Sequence, residues 1–285
     1  MVRNEVGSTG QAPRNIGGKK QRLEAPVKTL ILAKENFSFK SNDFKNIELW
    51  KKAILKKNIV PFPNAEGLEL NNKEAQYKEG RYIDSKLTAA VSGTKYRFDI
   101  SNTTYEAFLT YENSDFTRVF EITNMDEVFC DIQSDGSIKG RKISSFLIGN
   151  RNQATDSDVP FADVTIKYAK NTHSILKTDG EPSDLEGIYD LRLELIDNST
   201  TSIKFQVFNI STGTKITQLE YDDFVVKDEN QAVVGGLGSI PVTSNGVFEI
   251  NGTNFKTGYT VEINGVIDLT EMSVEGANKL ILNLN

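Results

Sequence analysis

The chain has 285 residues and a formal net charge of −6, with 38% hydrophobic and 25% charged residues. This composition excludes wholesale disorder and predicts a folded, soluble protein with two domains or one large β domain. The sequence has no run of about 18 apolar residues, which argues against a membrane-spanning helix. The acidic balance argues against nucleic-acid binding by the folded body.

The charge is divided between a basic start and an acidic remainder. Residues 1–28 contain six basic and two acidic residues, a net charge of +4, so the rest of the chain carries −10. This segment has no apolar periodicity and cannot bury enough surface to fold alone. We predict an arm over 1–28 that is either disordered or extended along another subunit. Its candidate assembly residues are Arg3, Arg14, Lys19, Lys20 and Arg22.

A short buried strand is predicted over "TLILA", residues 29–33, and an amphipathic helix is predicted over 41–57. The residues that form its apolar stripe at helical spacing are Phe44, Ile47, Trp50 and Ile54. Ser41 or Asn42 is the predicted N-cap, and the prolines of "NIVPFPN" are predicted to end the helix. Trp50 is predicted to anchor the helix to the core rather than to bind a ligand.

From about residue 66 the pattern changes to short segments rich in β-branched and aromatic residues, which predict strands. The clearest is a hairpin over 131–148, in which Asp135 and Gly136 are predicted to supply the two positive φ angles of a tight turn. The segment "TYEAFLTYE", residues 104–112, suits either a helix or a strand.

A polar loop, residues 149–160, separates two predicted strands and is long for a connection within a compact domain. Because such loops often contact partners, Arg151, Asn152, Asp156 and Asp158 join the candidate assembly residues. Asp156 and Asp158 suit either a weak surface calcium site or ordinary solvent contact. We favour solvent contact because the ligand spacing of a calcium loop is absent.

Two further hairpins are predicted, one over 189–210 and one at residues 211–213, and a strand and a glycine-rich linker at 235–238 follow them. The predicted domains are an extended arm over 1–28, a β-rich assembly domain over 29–230 and a small β module over 231–285. The fold class that follows is mainly β, with a sandwich- or barrel-like body and one amphipathic helix.

The side chains that carry chemistry do not form a recognisable site. The only cysteine, Cys130, excludes an intrachain disulfide and is predicted to be a small buried hydrophobe. The only histidine, His173, has no accompanying nucleophile motif and is interpreted as a polar turn residue. We therefore predict no catalytic residue, no metal site and no cofactor, and a protein that is not an enzyme. No secretory signal is predicted, so we expect synthesis and assembly in a cytoplasm.

The closing stretch "GVFEINGTNFKTGYTVEINGV", residues 246–266, resembles the immunoglobulin-like IPT/TIG repeats. The resemblance implies that Gly252 and Gly258 lie in turns and that Phe255 and Val261 point into the core. Modules of this family mediate adhesion and decoration, so the resemblance implies an interaction module at the end of the chain.

The basic arm, the helix before "NIVPF" and the hairpin "DEVFCDIQSDGSIKGRKISSFLIGNRN" resemble virion structural proteins of crAss-like tailed phages. This resemblance implies a virion subunit that forms a tail or neck ring with copies of itself and with other virion proteins. No membrane and no specific nucleic-acid binding is expected, although DNA would pass through the lumen of a ring. The alternatives are a capsid decoration protein, a carbohydrate-binding adhesin and a glycan-degrading tail enzyme.

Overall fold

The structure is a computed structural model, and it describes residues 25–70, 76–78, 85–88, 93–155, 158–170, 173–240, 246–269 and 272–284. The protein is mainly β, as the sequence predicts. It divides into two compact units, Met1–Gly187 and Ile188–Asn285. We call them the N-terminal unit and the C-terminal unit. The predicted arm over 1–28 lies largely outside the described residues.

The secondary structure of the N-terminal unit is dominated by short strands. Its strands are β1 (Val27–Ala33), β2 (Ile59–Asn64), β3 (Gly67–Leu70), β4 (Gln76–Lys78), β5 (Ser85–Thr88), β6 (Gly93–Asp99), β7 (Arg118–Thr123), β8 (Glu127–Ile132), β9 (Ile138–Lys139), β10 (Arg141–Ile148), β11 (Phe161–Tyr168) and β12 (Ser174–Lys177). Its α-helices are α1 (Ile47–Leu55) and α2 (Asn102–Leu109), and its 3-10 turns are Asp43–Lys45 and Pro182–Asp184.

The main sheet of this unit closes into a barrel. The strands β3, β6, β11, β10 and β7 follow one another in the sheet, and β1 pairs with both β7 and β2. Between β2 and β3 the chain bends at Ala65 and Glu66. The Ala65 N–H donates to the Lys28 carbonyl of β1, and the Glu66 N–H donates to the Arg97 carbonyl of β6, both at 2.8 Å. The bend therefore bridges β1 and β6 and completes the circle of strands.

The interior of the barrel is filled with alternate side chains of its strands, as strand geometry requires. The fully buried members from β1, β6, β7 and β11 are Leu30, Leu32, Tyr96, Phe98, Val119, Ala162, Val164 and Ile166. Helix α2 adds Phe108, which stacks on Phe62 of β2 with ring centroids 4.3 Å apart. The segment 104–112, which suits either state in the sequence, is thus mostly helical because its Phe108 side covers the barrel.

Helix α1 packs on the opposite face of β7. Its fully buried Trp50 stacks on Phe39, with centroids 4.6 Å apart, and meets Phe120 of β7 edge-on at 4.9 Å. The predicted core role of Trp50 is confirmed. The predicted N-cap is wrong, because the side chain of Asn46 accepts from the Glu48 N–H at 3.0 Å and residues 43–45 form a separate 3-10 turn.

The hairpin between β8 and β9 is present, but its turn differs from the predicted one. Gly136 has a φ of +80°, whereas Asp135 does not have a positive φ. The Asp135 carboxylate accepts from the Ser137 N–H at 2.9 Å, so this residue stabilises the turn through its side chain.

Gly140 lies where the chain passes from β9 to β10 across β7. A Cβ at this position would come within 2.9 Å of the backbone of Val119. We expect Gly140→Ala to lower the free energy of unfolding of the N-terminal unit by about 1–3 kcal/mol, because a backbone contact cannot yield as a flexible side chain does. Urea unfolding followed by tryptophan fluorescence measures this change. Gly187→Ala is the control, because its nearest neighbouring atom, Cγ of Pro61, is 3.9 Å away.

The C-terminal unit is a β-sandwich. Its strands are β13 (Ile188–Asn198), β14 (Ser202–Asn209), β15 (Phe224–Lys227), β16 (Gly238–Ile240), β17 (Phe248–Asn251), β18 (Thr260–Ile263), β19 (Val266–Asp268), β20 (Ser273–Gly276) and β21 (Leu280–Ile281). One sheet has the order β16-β17-β14-β13-β20-β19 and the other has the order β15-β18-β21. A 3-10 turn at Tyr221–Asp223 precedes β15, and one apolar cluster with Phe205 and Val261 at its centre joins the two sheets.

The predicted domain boundary at residue 231 does not match this division. Strand β14, which the prediction assigned to the assembly domain, pairs with β17, and β13 pairs in parallel with β20. The glycines at 235–238 lead into β16, an edge strand on β17, and do not form a linker between domains. The sandwich therefore begins at Ile188, because its closing strands need β13 and β14 as hydrogen-bonding partners.

The predictions for the closing stretch are confirmed at three of four positions. Phe255 and Val261 are buried, and Gly258 has a φ of +92° in its turn. Gly252 directly follows β17 and does not lie in a turn, and the absence of a side chain has another reason there. A Cβ there would lie 2.7 Å from side-chain atoms of Leu237 and Phe255.

Candidate assembly surface

The structure describes only some of the predicted assembly residues. Six of them lie outside the described ranges: the arm residues Arg3, Arg14, Lys19, Lys20 and Arg22, and the loop residue Asp156. Arg151, Asn152 and Asp158 are described. Their contact with a neighbouring subunit stays a prediction.

The described part of the loop folds back onto the barrel. The Arg151 guanidinium donates to the Ile100 carbonyl at 3.4 Å, and Asn152 forms a two-way backbone bridge with Phe161. Asp158 pairs with Arg97 of β6 at 2.9 Å. These polar groups therefore hold the loop in place. The exposed apolar side chain in this stretch is Val159, at 51% exposure.

Arg97 is the centre of a charged surface on the outer face of β3, β6 and β11. Besides Asp158, its guanidinium contacts Asp99 at 3.3 Å and lies 3.8 Å from the centre of the Phe161 ring. On the same face Lys95 lies 2.9 Å from Asp163, and this hydrogen bond raises the pKa of Lys95. Exposed pairs of this kind contribute little to stability but order the surface on which the loop rests.

The described edge of β3 beside this surface has no partner strand among the described strands other than β6. Leu68 and Leu70 are 43% and 68% exposed. In β2, by contrast, Pro61 and Pro63 remove two backbone donors, a common protection of strand edges. The sequence of β3, Gly-Leu-Glu-Leu, has no proline. We define the β3 edge as Gly67–Leu70 with its exposed leucines.

A second polar feature, which sequence reasoning missed, lies inside the barrel. Glu121 of β7, only 2% exposed, pairs with Arg141 of β10 and accepts hydrogen bonds from the hydroxyls of Tyr96 and Tyr168. The Arg141 guanidinium also lies 3.7 Å from the centre of the Tyr168 ring. Burial, and then the negative charge of Glu121, raises the pKa of both phenols, which keeps them protonated as donors. We call these four residues the Glu121 network.

Glu121 lies in β7, a strand that is buried on both faces, between the barrel interior and helix α1. No pattern in a single sequence identifies such a strand. Within the network, the Glu121 carboxylate is paired with Arg141 and accepts from both tyrosine hydroxyls. These groups are therefore suited to fixing the packing of the barrel and not to reacting with a substrate.

A shallow surface cavity of about 300 Å³ lies outside the barrel next to Glu35. Partial burial of Glu35 opposes its ionisation. Hydrogen bonds from Thr117 and Arg118 outweigh this effect and lower its pKa to about 2. Asp115, the other acid in the cavity, lies 3.5 Å from Lys34. Both carboxylates are thus occupied by partners within the chain.

The single cysteine and the single histidine lie at neighbouring strands, because β8, which contains Cys130, pairs with β12, which follows His173. Cys130 is fully buried on β8, and burial raises the pKa of its thiol well above the ordinary value, so it is not an activated nucleophile. The predicted small-hydrophobe role of Cys130 is confirmed. His173, which directly precedes β12, stacks on Phe129 with ring centroids 4.3 Å apart, so it contributes to packing.

No protein-family model matches the chain, and no curated protein is similar to it in sequence. Within the described ranges, the helices are too short or too polar to cross a membrane. Among those same residues, histidine, cysteine, aspartate and glutamate side chains do not come together in a group of three or more that could hold a metal ion.

Proposed function

We propose that the protein is a structural subunit of a tailed-phage virion, which forms a tail or neck ring by contacts between neighbouring copies. The observation that carries the proposal is the β3 edge, an exposed and proline-free strand with two solvent-facing leucines in an otherwise closed barrel. Proteins that remain monomeric usually protect such edges with proline, charge or a covering segment. An edge of this kind indicates a partner strand from another chain.

The polar chemistry of the described residues is compatible with this role. The Glu121 network, the Glu35–Arg118 pair and the loop residues Arg151 and Asp158 are all engaged in contacts that hold the N-terminal unit together. The sandwich of the C-terminal unit resembles an adhesion module in its closing stretch, which supports a second candidate, a capsid decoration protein. In that case the subunit would coat capsids as a monomer.

We expect the full chain at micromolar concentration to form closed rings, and the chain without residues 1–24 to remain a folded monomer. Heterologous contacts close into a ring when the rotation between copies permits it. Negative-stain images and sedimentation show the assembly, and the fluorescence of Trp50 reports whether the shortened chain is folded.

A full chain that stays monomeric over the whole concentration range, with or without capsids, contradicts both candidates. A monomer that coats purified capsids selects the decoration protein. Rings formed equally well without residues 1–24 would show that the arm plays no part in assembly.

A further inference from the structure

The backbone of the β3 edge is oriented to accept another strand. The Arg97 carbonyl accepts from the Glu66 N–H, and Arg97 lies opposite Gly67, so the backbone groups of Gly67 face β6. Successive residues of a strand point their amides and carbonyls to opposite sides. The backbone groups of Leu68 and Leu70 therefore point to the free side, where a further strand would find two donors and two acceptors.

The side chains of this edge indicate what the added strand has to cover. Leu68 lies opposite Tyr96 and Leu70 lies opposite Thr94, and both of these β6 residues are buried. Directly opposed residues share a face of the sheet. The two leucines therefore lie on the same face as the buried Tyr96 and Thr94, but they remain exposed. An incoming strand needs an apolar residue on that face.

The charges around the edge point to the arm as the incoming strand. Glu66 and Glu69 are exposed beside it, whereas residues 1–24 carry five basic and two acidic residues. In "KKQRL", residues 19–23, two basic residues alternate with Gln21 and Leu23. As a strand, this stretch presents Lys20 and Arg22 on one face, and on the other face it presents Leu23 together with Gln21 and Lys19. That alternation matches acidic groups and exposed leucines on opposite faces of β3.

The path of the chain favours an arm from another copy. The Lys28 carbonyl accepts a hydrogen bond from the N–H of Ala65, which lies just before β3. The pairing of β1 with β7 has a bulge between Val27 and Thr29. Upstream of the bulge the Pro26 carbonyl accepts from the Asn124 N–H at 2.9 Å. Among the described residues, this part of the chain is thus held to the turn after β7, and β1 pairs with β2 and β7 but not with β3.

We propose that residues 19–23 of one copy add as a strand to the β3 edge of the next copy, with Leu23 covering the exposed leucines. The inference rests on the proposed ring and specifies the contact that closes it. Each copy then donates one arm and accepts one, so a closed ring leaves no β3 edge open.

The test mixes full-length variants in pairs, each variant with one new cysteine, in equal amounts under mild oxidation. One variant is Leu70→Cys, and the others carry cysteine in place of Gln21, Arg22, Leu23 or Glu24. Disulfides between the two chains are expected at alternate arm positions only, since successive side chains of a strand point to opposite faces. Leu147→Cys, at an exposed position of β10, replaces Leu70→Cys as the control and is expected to give no link. The native Cys130 is fully buried and stays in place.

Several outcomes overturn the proposal without touching the ring itself. Rings that persist with no link at any of the four arm positions, or with equal links at all of them, show that no strand is added there. Dimers of Leu70→Cys alone show that two β3 edges pair with each other. A link within one chain, seen when Leu23→Cys and Leu70→Cys are combined in a single polypeptide, shows that the arm covers its own barrel. Absence of rings in the unaltered chain contradicts the proposed function instead.

Discussion

Replacing Glu121 by glutamine is expected to lower the free energy of unfolding of the N-terminal unit by about 3–5 kcal/mol. The substitution keeps the shape of the side chain but leaves the Arg141 charge buried without its counter-ion. Both side chains are at most 8% exposed, so water cannot replace the lost partner. Urea unfolding followed by tryptophan fluorescence measures the loss, because Trp50 is the only tryptophan of the chain and lies in this unit.

Two controls separate the buried pair from charge in general. Glu69→Gln makes the same change at a 74% exposed side chain, 3.8 Å from Lys95, and is expected to cost at most about 1 kcal/mol. Combining Glu121→Leu with Arg141→Met removes both charges and is expected to cost less than Glu121→Gln alone. Recovery is incomplete in this double variant, because two tyrosine hydroxyls lose their acceptor. Equal losses for Glu121→Gln and Glu69→Gln would show that burial adds nothing to the pair.

Trp50→Ala is expected to lower the same free energy by about 3–5 kcal/mol. The indole is fully buried among Phe39, Phe44 and Phe120, and its N–H donates to the Phe44 carbonyl at 2.9 Å. The substitution empties this space and leaves a buried carbonyl without its donor. Since the variant has no tryptophan, far-UV circular dichroism follows its unfolding in urea.

The matched control for the aromatic cluster is Leu147→Ala, which removes a large apolar side chain that is 50% exposed. We expect it to change the free energy of unfolding by no more than about 0.5 kcal/mol. For Trp50→Phe we expect a loss of unfolding free energy between those of Trp50→Ala and Leu147→Ala, because this substitution keeps most of the packing and loses the hydrogen bond. If Trp50→Ala resembled the control, helix α1 would not be anchored to β7 by this residue.

Local patterns in the sequence were sufficient for the elements whose partners are close in the chain. Helix α1 follows from the spacing of its apolar residues, and the β13–β14 hairpin follows from alternation on either side of a polar turn. Trp50, Cys130, Phe255 and Val261 are buried as predicted, because apolar residues within such elements rarely find another place.

Residues whose partners are distant in the chain were not predictable in the same way. The pairing of β13 with β20 joins residues 85 positions apart, such as Ile188 and Ser273, and this pairing moved the domain boundary from residue 231 to Ile188. The loop residue Asp158 is paired with Arg97 of β6, and no pattern within the loop sequence indicates this partner. Glu121 of β7 and Arg141 of β10 contact each other because these two strands pair, and both are buried because the barrel closes around them.

The amino-acid sequence by itself determined that this protein is mainly β, where its amphipathic helix lies, and that its first residues are basic while the remainder is acidic. These properties depend on composition and on spacing along the chain. Only the tertiary structure decided which strands share a sheet, which charged side chains are buried and which described strands lie at the edge of a sheet. Those outcomes depend on how distant segments pack, because burial of a side chain is set by what lies opposite it in space.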